Sequence, residues 1–273
     1  MLTWRKLTSA KWEDAWLERL QCIGPTRLAV VRLPNRKSLR MEAYALTRKE
    51  ADGLLKQFGG QVREIKDKLI SEPVARKPLA IRNQLWVVDS VETARQLDAP
   101  RPVLIIPAAM AFGTGDHATT ASCLRLLCDL AAKQTAPWDF LDLGTGSGIL
   151  AIAARKLGAR KVEGCDFDPH AVRTAKENVA INAAGPIPIR KTDVLAWTPP
   201  RTWDVVAANL FSQVLIQAAA PIAAAVRPGG TLILSGILSI QEKEVVATFS
   251  KRGFKFQKAV RKGKWVSLLA GKR

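Results

Sequence analysis

Three glycines at alternating positions follow a short apolar segment and precede a predicted helix, in Leu141-Asp142-Leu143-Gly144-Thr145-Gly146-Ser147-Gly148-Ile149. Glycine lets the backbone turn sharply and approach a ligand closely, and the first N–H groups of a helix are free to bind it. Dinucleotide-binding folds use a similar G-x-G-x-x-G sequence, so the glycines alone do not select one cofactor. The G-x-G-x-G spacing after Asp142 favours S-adenosylmethionine, a nucleoside with a sulfonium-bearing amino acid and no pyrophosphate. The alternative is a purely structural glycine turn.

Acidic residues follow the next two predicted strands. Asp166 lies 22 residues after Gly144, which suits a carboxylate that accepts hydrogen bonds from both ribose hydroxyls. Asp168 stands directly before Pro169, so we expect it to cap the following helix. Asp193 follows a third short strand, where the adenine edge of the cofactor would lie, and a solvated loop aspartate is the alternative.

A polar residue is also expected at the end of the fourth strand. The apolar run that starts at Asp204 ends in Asn209, at the carboxyl end where α/β sheets bind ligands. An amide side chain both donates and accepts hydrogen bonds. We therefore predict that Asn209 orients an amine nucleophile or the amino-acid end of the cofactor, with helix capping as the alternative.

The loop Ala111–Thr120 precedes the glycine segment and is rich in Gly and Thr. Its N–H and hydroxyl groups could close over the methionine part of the cofactor, although its composition also fits a plain loop and helix cap. His117 is the best candidate for a general base, and a capping histidine is the competing interpretation.

The elements that must position these residues alternate between strand and helix from residue 101 onward. This alternation predicts a mostly parallel sheet with helices on both faces, an α/β fold. The predicted strands are Val103–Ile106, Phe140–Leu143, Lys161–Asp166, Pro188–Lys191, Val205–Asn209 and Thr231–Ser235, and the predicted helices are Thr119–Ala131, Ile149–Leu157, His170–Asn182 and Gln213–Val226.

Residues 1–70 predict a separate small domain with the order β-α-β-β-α-β, the ferredoxin-like plan. Ser9 is expected to cap its first helix, and Thr47 with Glu50 forms a capping box for its second. A unit this small is more often a binding module than a catalytic one. Residues 71–100 are predicted to be a linker that contains one strand, Leu85–Val88.

Composition narrows the classes of protein. Hydrophobic residues make up 48% of the chain, yet no run of about 18 apolar residues occurs, so we expect no membrane span. The first residues carry no apolar segment of a secretory signal, which predicts a cytoplasmic protein. The four cysteines form no CxxC pair and only two histidines occur, so neither a metal site nor a disulfide framework is predicted.

The net charge of +18 favours anionic partners. The segment Lys251–Arg273 contains nine basic residues and no acidic one. RNA, ribosomal particles and acidic proteins would all suit this charge, and a basic surface that serves solubility is the alternative.

Several longer stretches resemble one family, the methyltransferases of ribosomal large-subunit protein L11 (PrmA). They are AFGTGDHATT (111–120), LDLGTGSGILAIAARKLGA (141–159), DFDPHAVRTAKENVAIN (166–182), DVVAANL (204–210), RPGGTLILSGIL (227–238) and KWVSLLAGKR (264–273). The glycine segment alone marks only the class I, Rossmann-like methyltransferase superfamily. Its combination with AFGTG, the Asn strand end and LSGIL is far more specific.

The resemblance implies a seven-stranded class I methyltransferase domain behind a small substrate-recognition domain. It implies methyl transfer to lysine ε-amines and the N-terminal α-amine of a ribosomal protein. We expect the protein to be a monomer. The resemblance also implies cofactor contacts from Thr120, Gly144, Asp166 and Asn209, to which the glycine spacing adds Gly146.

Two stretches beside the predicted site depart from the family pattern. This chain has Asp116-His117-Ala118-Thr119-Thr120 where the family has Thr-His-Pro-Thr-Thr, and Asn209-Leu210-Phe211-Ser212 where it has Asn-Ile-Leu-Ala. The methyl acceptor is therefore less constrained than the cofactor. RNA methylation and a non-catalytic cofactor-binding module are the competing hypotheses.

Overall fold

The computed structural model describes residues 2–20, 23, 27–32, 38–64, 77–97, 100–107, 115 and 117–273. The chain forms two compact units, of which the first contains the described residues up to Glu64 and the second contains the described residues from Lys77 onward. Residues 111–114 and 116 of the loop Ala111–Thr120 lie outside the described residues.

The first unit contains an antiparallel sheet of four strands in the order β2-β3-β1-β4, with two helices. Its elements are β1 (Leu2–Ser9), α1 (Glu13–Arg19), β2 (Leu28–Arg32), β3 (Ser38–Leu46), α2 (Arg48–Phe58) and β4 (Gln61–Glu64). Their order along the chain is the expected β-α-β-β-α-β. The helices cover one face of the sheet, where Trp4, Trp16 and Phe58 pack edge to face or tilted.

One of the two predicted helix caps in this unit is confirmed. The Thr47 side chain accepts from the Glu50 N–H and the Glu50 carboxylate accepts from the Thr47 N–H, so the capping box is present. The Ser9 prediction is wrong, because a 3₁₀ turn at Ala10–Trp12 stands between Ser9 and α1, and the Ser9 side chain makes no capping hydrogen bond.

The second unit begins with a small three-stranded sheet, two strands of which lie in the segment predicted to be a linker. It consists of β5 (Leu79–Ile81), β6 (Leu85–Val88) and β7 (Val103–Ile105), with α3 (Val91–Gln96) between the last two. The strand predicted at Leu85–Val88 is confirmed. The described part of residues 71–100 is thus folded, and it belongs to the second unit.

A seven-stranded sheet in the order β10-β9-β8-β11-β12-β14-β13 forms the centre of the second unit. Strand β14 is antiparallel to both of its neighbours, and the pairs among β8 to β12 are parallel. The strands are β8 (Asp139–Leu143), β9 (Lys161–Asp166), β10 (Ile189–Lys191), β11 (Trp203–Asn209), β12 (Val226–Leu238), β13 (Phe254–Lys262) and β14 (Trp265–Lys272). The predicted, mostly parallel α/β sheet is confirmed.

Six helices cover both faces of this sheet. They are α4 (Ala118–Ala131), α5 (Ile149–Lys156), α6 (Pro169–Ile181), α7 (Ser212–Gln217), α8 (Ala219–Ala225) and α9 (Glu242–Ser250). Successive strand residues point to opposite faces: Phe140 packs with α4, α5 and α6, whereas Leu141 packs with α7, α8 and α9. No helix in the described part of the chain is long and apolar enough to cross a membrane.

Three features of this unit differ from the predicted elements. The helix predicted at Gln213–Val226 is divided into α7 and α8, since Pro221 lacks an N–H and its ring obstructs the carbonyl four residues earlier. The strand predicted at Thr231–Ser235 is the middle of the longer β12. The basic segment Lys251–Arg273, for which no strand or helix was predicted, forms β13 and β14.

The cysteines that the structure describes, at positions 123, 128 and 165, are free and buried. Burial raises the pKa of each thiol to about 12. These groups therefore behave as small apolar side chains.

Candidate active site

The carboxyl edge of the parallel strands brings four predicted residues together. Leu143 of β8 pairs with Ala208 of β11 on one side and with Cys165 of β9 on the other. Gly144, Asp166 and Asn209, which directly follow or end these strands, are therefore neighbours. Asp193 stands one residue beyond Thr192, whose N–H donates to the Asp166 carbonyl oxygen over 2.8 Å.

The glycine segment requires glycine for its backbone and its packing. Gly144, Gly146 and Gly148 have φ values of +71°, +55° and +81°, which side chains other than glycine rarely adopt. A Cβ at Gly144 would lie 2.3 Å from Leu210 Cδ2. Gly148 opens α5 and lies close to Ala175 of α6. The segment is therefore a tight turn between strand and helix, which we call the glycine cradle (144–148).

Asp166 is buried and is bound to the cradle. Its Oδ2 accepts from the Gly146 N–H over 2.9 Å, and its Oδ1 accepts from the Asp168 N–H over 3.1 Å. Burial raises the pKa of Asp166, against the effect of these two bonds. A carboxylate oxygen has more than one lone-pair site, so each retains capacity for a further donor. Asp168 caps α6 as predicted, because its Oδ1 accepts from the His170 N–H over 2.8 Å.

Asp142 is fully buried at the end of β8, beneath the cradle. Thr145 Oγ1 donates to Asp142 Oδ2 over 2.7 Å, whereas Asp142 Oδ1 lacks a hydrogen-bond partner among the described residues. Burial raises the pKa of Asp142 to about 7, although the Thr145 bond opposes this change, and the nearby Asp166 charge adds to it. A second carboxyl group thus lies at the base of the site.

Two polar side chains near the strand ends have no hydrogen-bond partner among the described residues. Asn209 ends β11 in a half-buried position, and no hydrogen bond joins its side chain to that part of the chain. The Thr120 hydroxyl, on the first turn of α4, is buried and unpaired there. Buried hydroxyls nearly always have partners. Thr120 is therefore a place where a ligand can supply one.

Ser235 joins the two elements that carry these groups. It lies beside Asn209 in the register of β11 and β12. Its Oγ lies 2.6 Å from Ser267 Oγ of β14 and 3.5 Å from the carbonyl oxygen of Thr119. Helix α4 therefore begins close to the end of β11.

His117 is the N-cap residue of α4. Its Nδ1 lies 2.7 Å from Thr119 Oγ1 and 3.4 Å from the Thr119 N–H group, from which it accepts. Its ring packs edge to face on Trp265 at 5.3 Å between centroids. The capping interpretation is therefore observed, and the role of general base stays a prediction.

Asp193 is exposed, and its Oδ1 accepts from the Leu195 N–H over 2.9 Å. Phe167 and Leu195, which follow Asp166 and Asp193, are both half exposed although they are large and apolar. Apolar surface beside two carboxylates suits a heterocycle attached to a sugar. The adenine contact of Asp193 itself stays a prediction.

Asn178 of α6 and Asn182, which caps the end of that helix, were not predicted to support the site. Asn178 Nδ2 donates to the Ser147 carbonyl oxygen of the cradle over 2.8 Å. Asn182 accepts from the Ile105 N–H over 2.8 Å and donates to the Ile105 carbonyl oxygen over 2.7 Å. Because they are four residues apart, both lie on the same, buried side of the helix. Two polar residues on an otherwise apolar face are the sequence signal that could have identified them.

The residues present fit a nucleoside cofactor with an amino-acid tail. Gly144 leaves backbone room that a Cβ would fill, Asp166 offers acceptors for hydroxyls, and the Thr120 hydroxyl has no partner among the described residues. Together with the strand order in which the last strand is inserted antiparallel, they define the class I, S-adenosylmethionine-dependent methyltransferase fold. Within that class, the chain belongs to the family described as ribosomal protein L11 methyltransferase (PrmA), whose model matches residues 30–273.

Individual relatives agree with this membership. A protein of Trichlorobacter lovleyi named ribosomal protein L11 methyltransferase is 41% identical over 192 residues, covering 69% of this chain and 62% of its own. A Geobacter metallireducens protein of the same name is 44% identical over 178 residues, covering 63% and 56%. The chain spans about three fifths of the length of these curated relatives.

A solved structure supports the fold. The crystal structure of a ribosomal protein L11 methylase from Lactobacillus delbrueckii subsp. bulgaricus superposes with a TM-score of 0.63 and 27% identity. The superposition covers 72% of this chain and all of that one.

Proposed function

We propose that this protein is an S-adenosylmethionine-dependent N-methyltransferase that modifies lysine ε-amines, the N-terminal α-amine, or both, of ribosomal protein L11. The observation that carries the proposal is the position of Asn209, an amide with no hydrogen bond to any described side chain or backbone group, next to the glycine cradle. The names of the relatives supply the substrate.

The residues that would hold the cofactor follow from their chemistry. Asp166 would accept from the ribose hydroxyls, Asp193 would lie at the adenine edge, and the cradle N–H groups would contact the amino-acid tail. Thr120 would gain the partner that its buried hydroxyl lacks in the described part of the chain. When bound, the cofactor supplies a methyl group made electrophilic by an adjacent sulfonium.

The acceptor amine must lose its proton before it can attack a methyl group. A free lysine has a pKa near 10.4, and removal from water lowers it. The Asn209 amide oxygen would accept a hydrogen bond from the neutral amine and align its lone pair, which lowers the entropic part of the barrier. His117 is the remaining candidate for the proton acceptor, although its Nδ1 already caps α4.

The first unit would recognise the substrate protein. It contains an exposed Leu7 and an exposed Trp12, with Lys11 over the Trp12 ring at 5.2 Å. Exposed aromatic and aliphatic side chains beside cations suit a protein surface better than a small molecule. We further propose that the enzyme acts as a monomer in the cytoplasm, where ribosomal proteins are made.

The test is a methyl-acceptor assay with labelled cofactor and, in separate reactions, purified ribosomal protein L11 and ribosomal RNA, followed by mass spectrometry. Label on L11 amines supports the proposal. Label on RNA overturns the proposal that L11 is the substrate. Cofactor binding without transfer to either acceptor identifies a non-catalytic module.

Two variants locate the reaction in the site. Asn209→Ala should lower the turnover number at least about tenfold, which corresponds to 1.4 kcal/mol of transition-state stabilisation. Gln213→Ala, on the exposed side of the following helix, should react at the wild-type rate. Unchanged turnover and cofactor affinity in Asn209→Ala would remove Asn209 from the proposed mechanism.

A further inference from the structure

One face of the second unit is lined with cations from three separate elements. Most of α4 is buried, and Arg125 and Asp129 are among its few residues that reach solvent, with the exposed Lys133 following the helix. The edge strand β13 supplies Lys255, Lys258 and Lys262, and the turn between β5 and β6 supplies Arg82. We call these seven residues, Arg82, Arg125, Asp129, Lys133, Lys255, Lys258 and Lys262, the basic strip.

The orientation of the three β13 lysines follows from pairing and contacts. Lys255, Lys258 and Lys262 pair with Gly271, Leu269 and Trp265 of β14. Leu269 packs in the core on the α4 side, and Trp265 contacts His117 at the start of α4. Directly paired residues share a face of the sheet, so all three lysines point to the side of α4.

Only one carboxylate lies in the strip, and it is already occupied. Asp129 binds Arg82 at 3.0 Å and Lys258 at 2.9 Å. Burial alone would raise the pKa of Asp129, but the bonds to Lys258 and Arg82 hold it below its usual value. The other four cations of the strip make no ion pair with any residue that the structure describes.

Protection of the edge strand β13 does not explain all the cations of the basic strip. Lysines on β13 would discourage pairing with another chain, but Arg82 and Arg125 do not lie on that strand. None of the large exposed apolar side chains among the described residues lies on α4, on β13 or in the turn between β5 and β6. A surface of separated cations without apolar anchors suits a phosphate backbone, which is bound mainly by charge.

We infer that the basic strip binds the phosphate backbone of RNA. The identity of the polyanion rests on the proposed function, because a ribosomal protein assembles on RNA. The strip ends at Lys262, opposite Trp265 and hence near His117, at the edge that holds the cradle. RNA along the strip would therefore lie beside the acceptor site without entering it.

The experiment measures binding of a fluorescein-labelled RNA stem-loop of arbitrary sequence by anisotropy, over a series of salt concentrations. The test variant is Lys255→Glu/Lys262→Glu. The matched control is Lys176→Glu/Lys243→Glu, which makes the same change of charge at exposed positions on α6 and α9. Methyl transfer to free L11 is measured in parallel for all three proteins.

We expect the test variant to bind RNA at least about tenfold more weakly at low salt, with a log–log salt slope shallower by about two, and the control to change little. Equal losses of RNA affinity in both variants would show that only net charge matters, and would overturn the assignment of the strip as the binding site. Binding of poly-glutamate is measured in the same way. If the test variant loses affinity for poly-glutamate but not for RNA, the proposal that the strip binds RNA is also overturned. Absence of methyl transfer in the wild type would contradict the proposed function instead, whatever the RNA result.

Discussion

Asp166 Oδ2 accepts a 2.9 Å hydrogen bond from the backbone N–H of Gly146. Two residues predicted to hold different parts of one ligand are thus joined within the protein itself. The carboxylate orients the turn, and the turn holds the carboxylate with its remaining lone pairs available. The site is therefore largely formed before the ligand binds, which reduces the entropy lost on binding.

Replacement of Asp166 by alanine should weaken cofactor binding by at least about a hundredfold, because charge-assisted bonds to hydroxyls and the support of the cradle are both lost. Isothermal titration with S-adenosylhomocysteine measures the effect. Asp193→Ala, at an exposed position, should cost about tenfold or less. A larger loss at Asp193 than at Asp166 would reverse the two assignments.

Gly144→Ala should abolish cofactor binding and destabilise the fold. The new Cβ would lie 2.3 Å from Leu210 Cδ2, and alanine would have to adopt a φ of +71°. Gly158→Ala is the matched control, with a φ of +97° and no atom within 4 Å of the new Cβ. Gly158→Ala should lower the free energy of unfolding only by the backbone strain, about 1 kcal/mol. Thermal or urea unfolding measures this change. Equal losses in both variants would show that the contact with Leu210 is unimportant.

The stability of the protein should depend on pH through Asp142. Its pKa is about 7 in the folded protein and about 3.9 in an unfolded chain. Between these values the folded state holds a proton that the unfolded state has released, so stability falls as pH rises through this window. Above about pH 7 the full penalty is present.

Asp142→Asn removes this titration and should therefore gain stability relative to wild type as pH rises from 5 to 8. Urea unfolding at both pH values measures the difference in the free energy of unfolding. The exposed Asp193→Asn serves as the control. A constant difference between Asp142→Asn and wild type across this range would contradict the assignment.

Ala118→Pro should stabilise the protein by about 0.4–1 kcal/mol. Ala118 is the first residue of α4, where proline removes no helical hydrogen bond, and His117 has the extended backbone that a following proline prefers (φ −65°, ψ 138°). Ala118→Gly should change stability in the opposite direction. Thermal unfolding midpoints measure both effects. A lower midpoint for the proline variant would contradict the prediction and indicate a clash that the backbone angles do not reveal.

Local sequence was sufficient for the cradle and the Thr47 capping box, since Gly144 to Gly148 and Thr47 with Glu50 interact across only a few residues. It could not show that Asn182 binds Ile105, 77 positions away, or that Leu210 packs on Gly144. These contacts depend on which strands become neighbours. The many basic residues of the segment Lys251–Arg273 made β13 and β14 hard to predict for a similar reason. Phe254, Val266 and Leu268 are buried only when these strands pair with the rest of the sheet.

The position of β14 has a consequence for biosynthesis. Strand β14 lies in the interior of the sheet, between β12 and β13, so the sheet cannot close until Trp265–Lys272 has been translated. Until Trp265–Lys272 leaves the ribosome, β12 presents an unpaired edge and the cores on both faces stay open. This long-range closure should make folding slow, and a nascent chain stalled before Trp265 should need a chaperone.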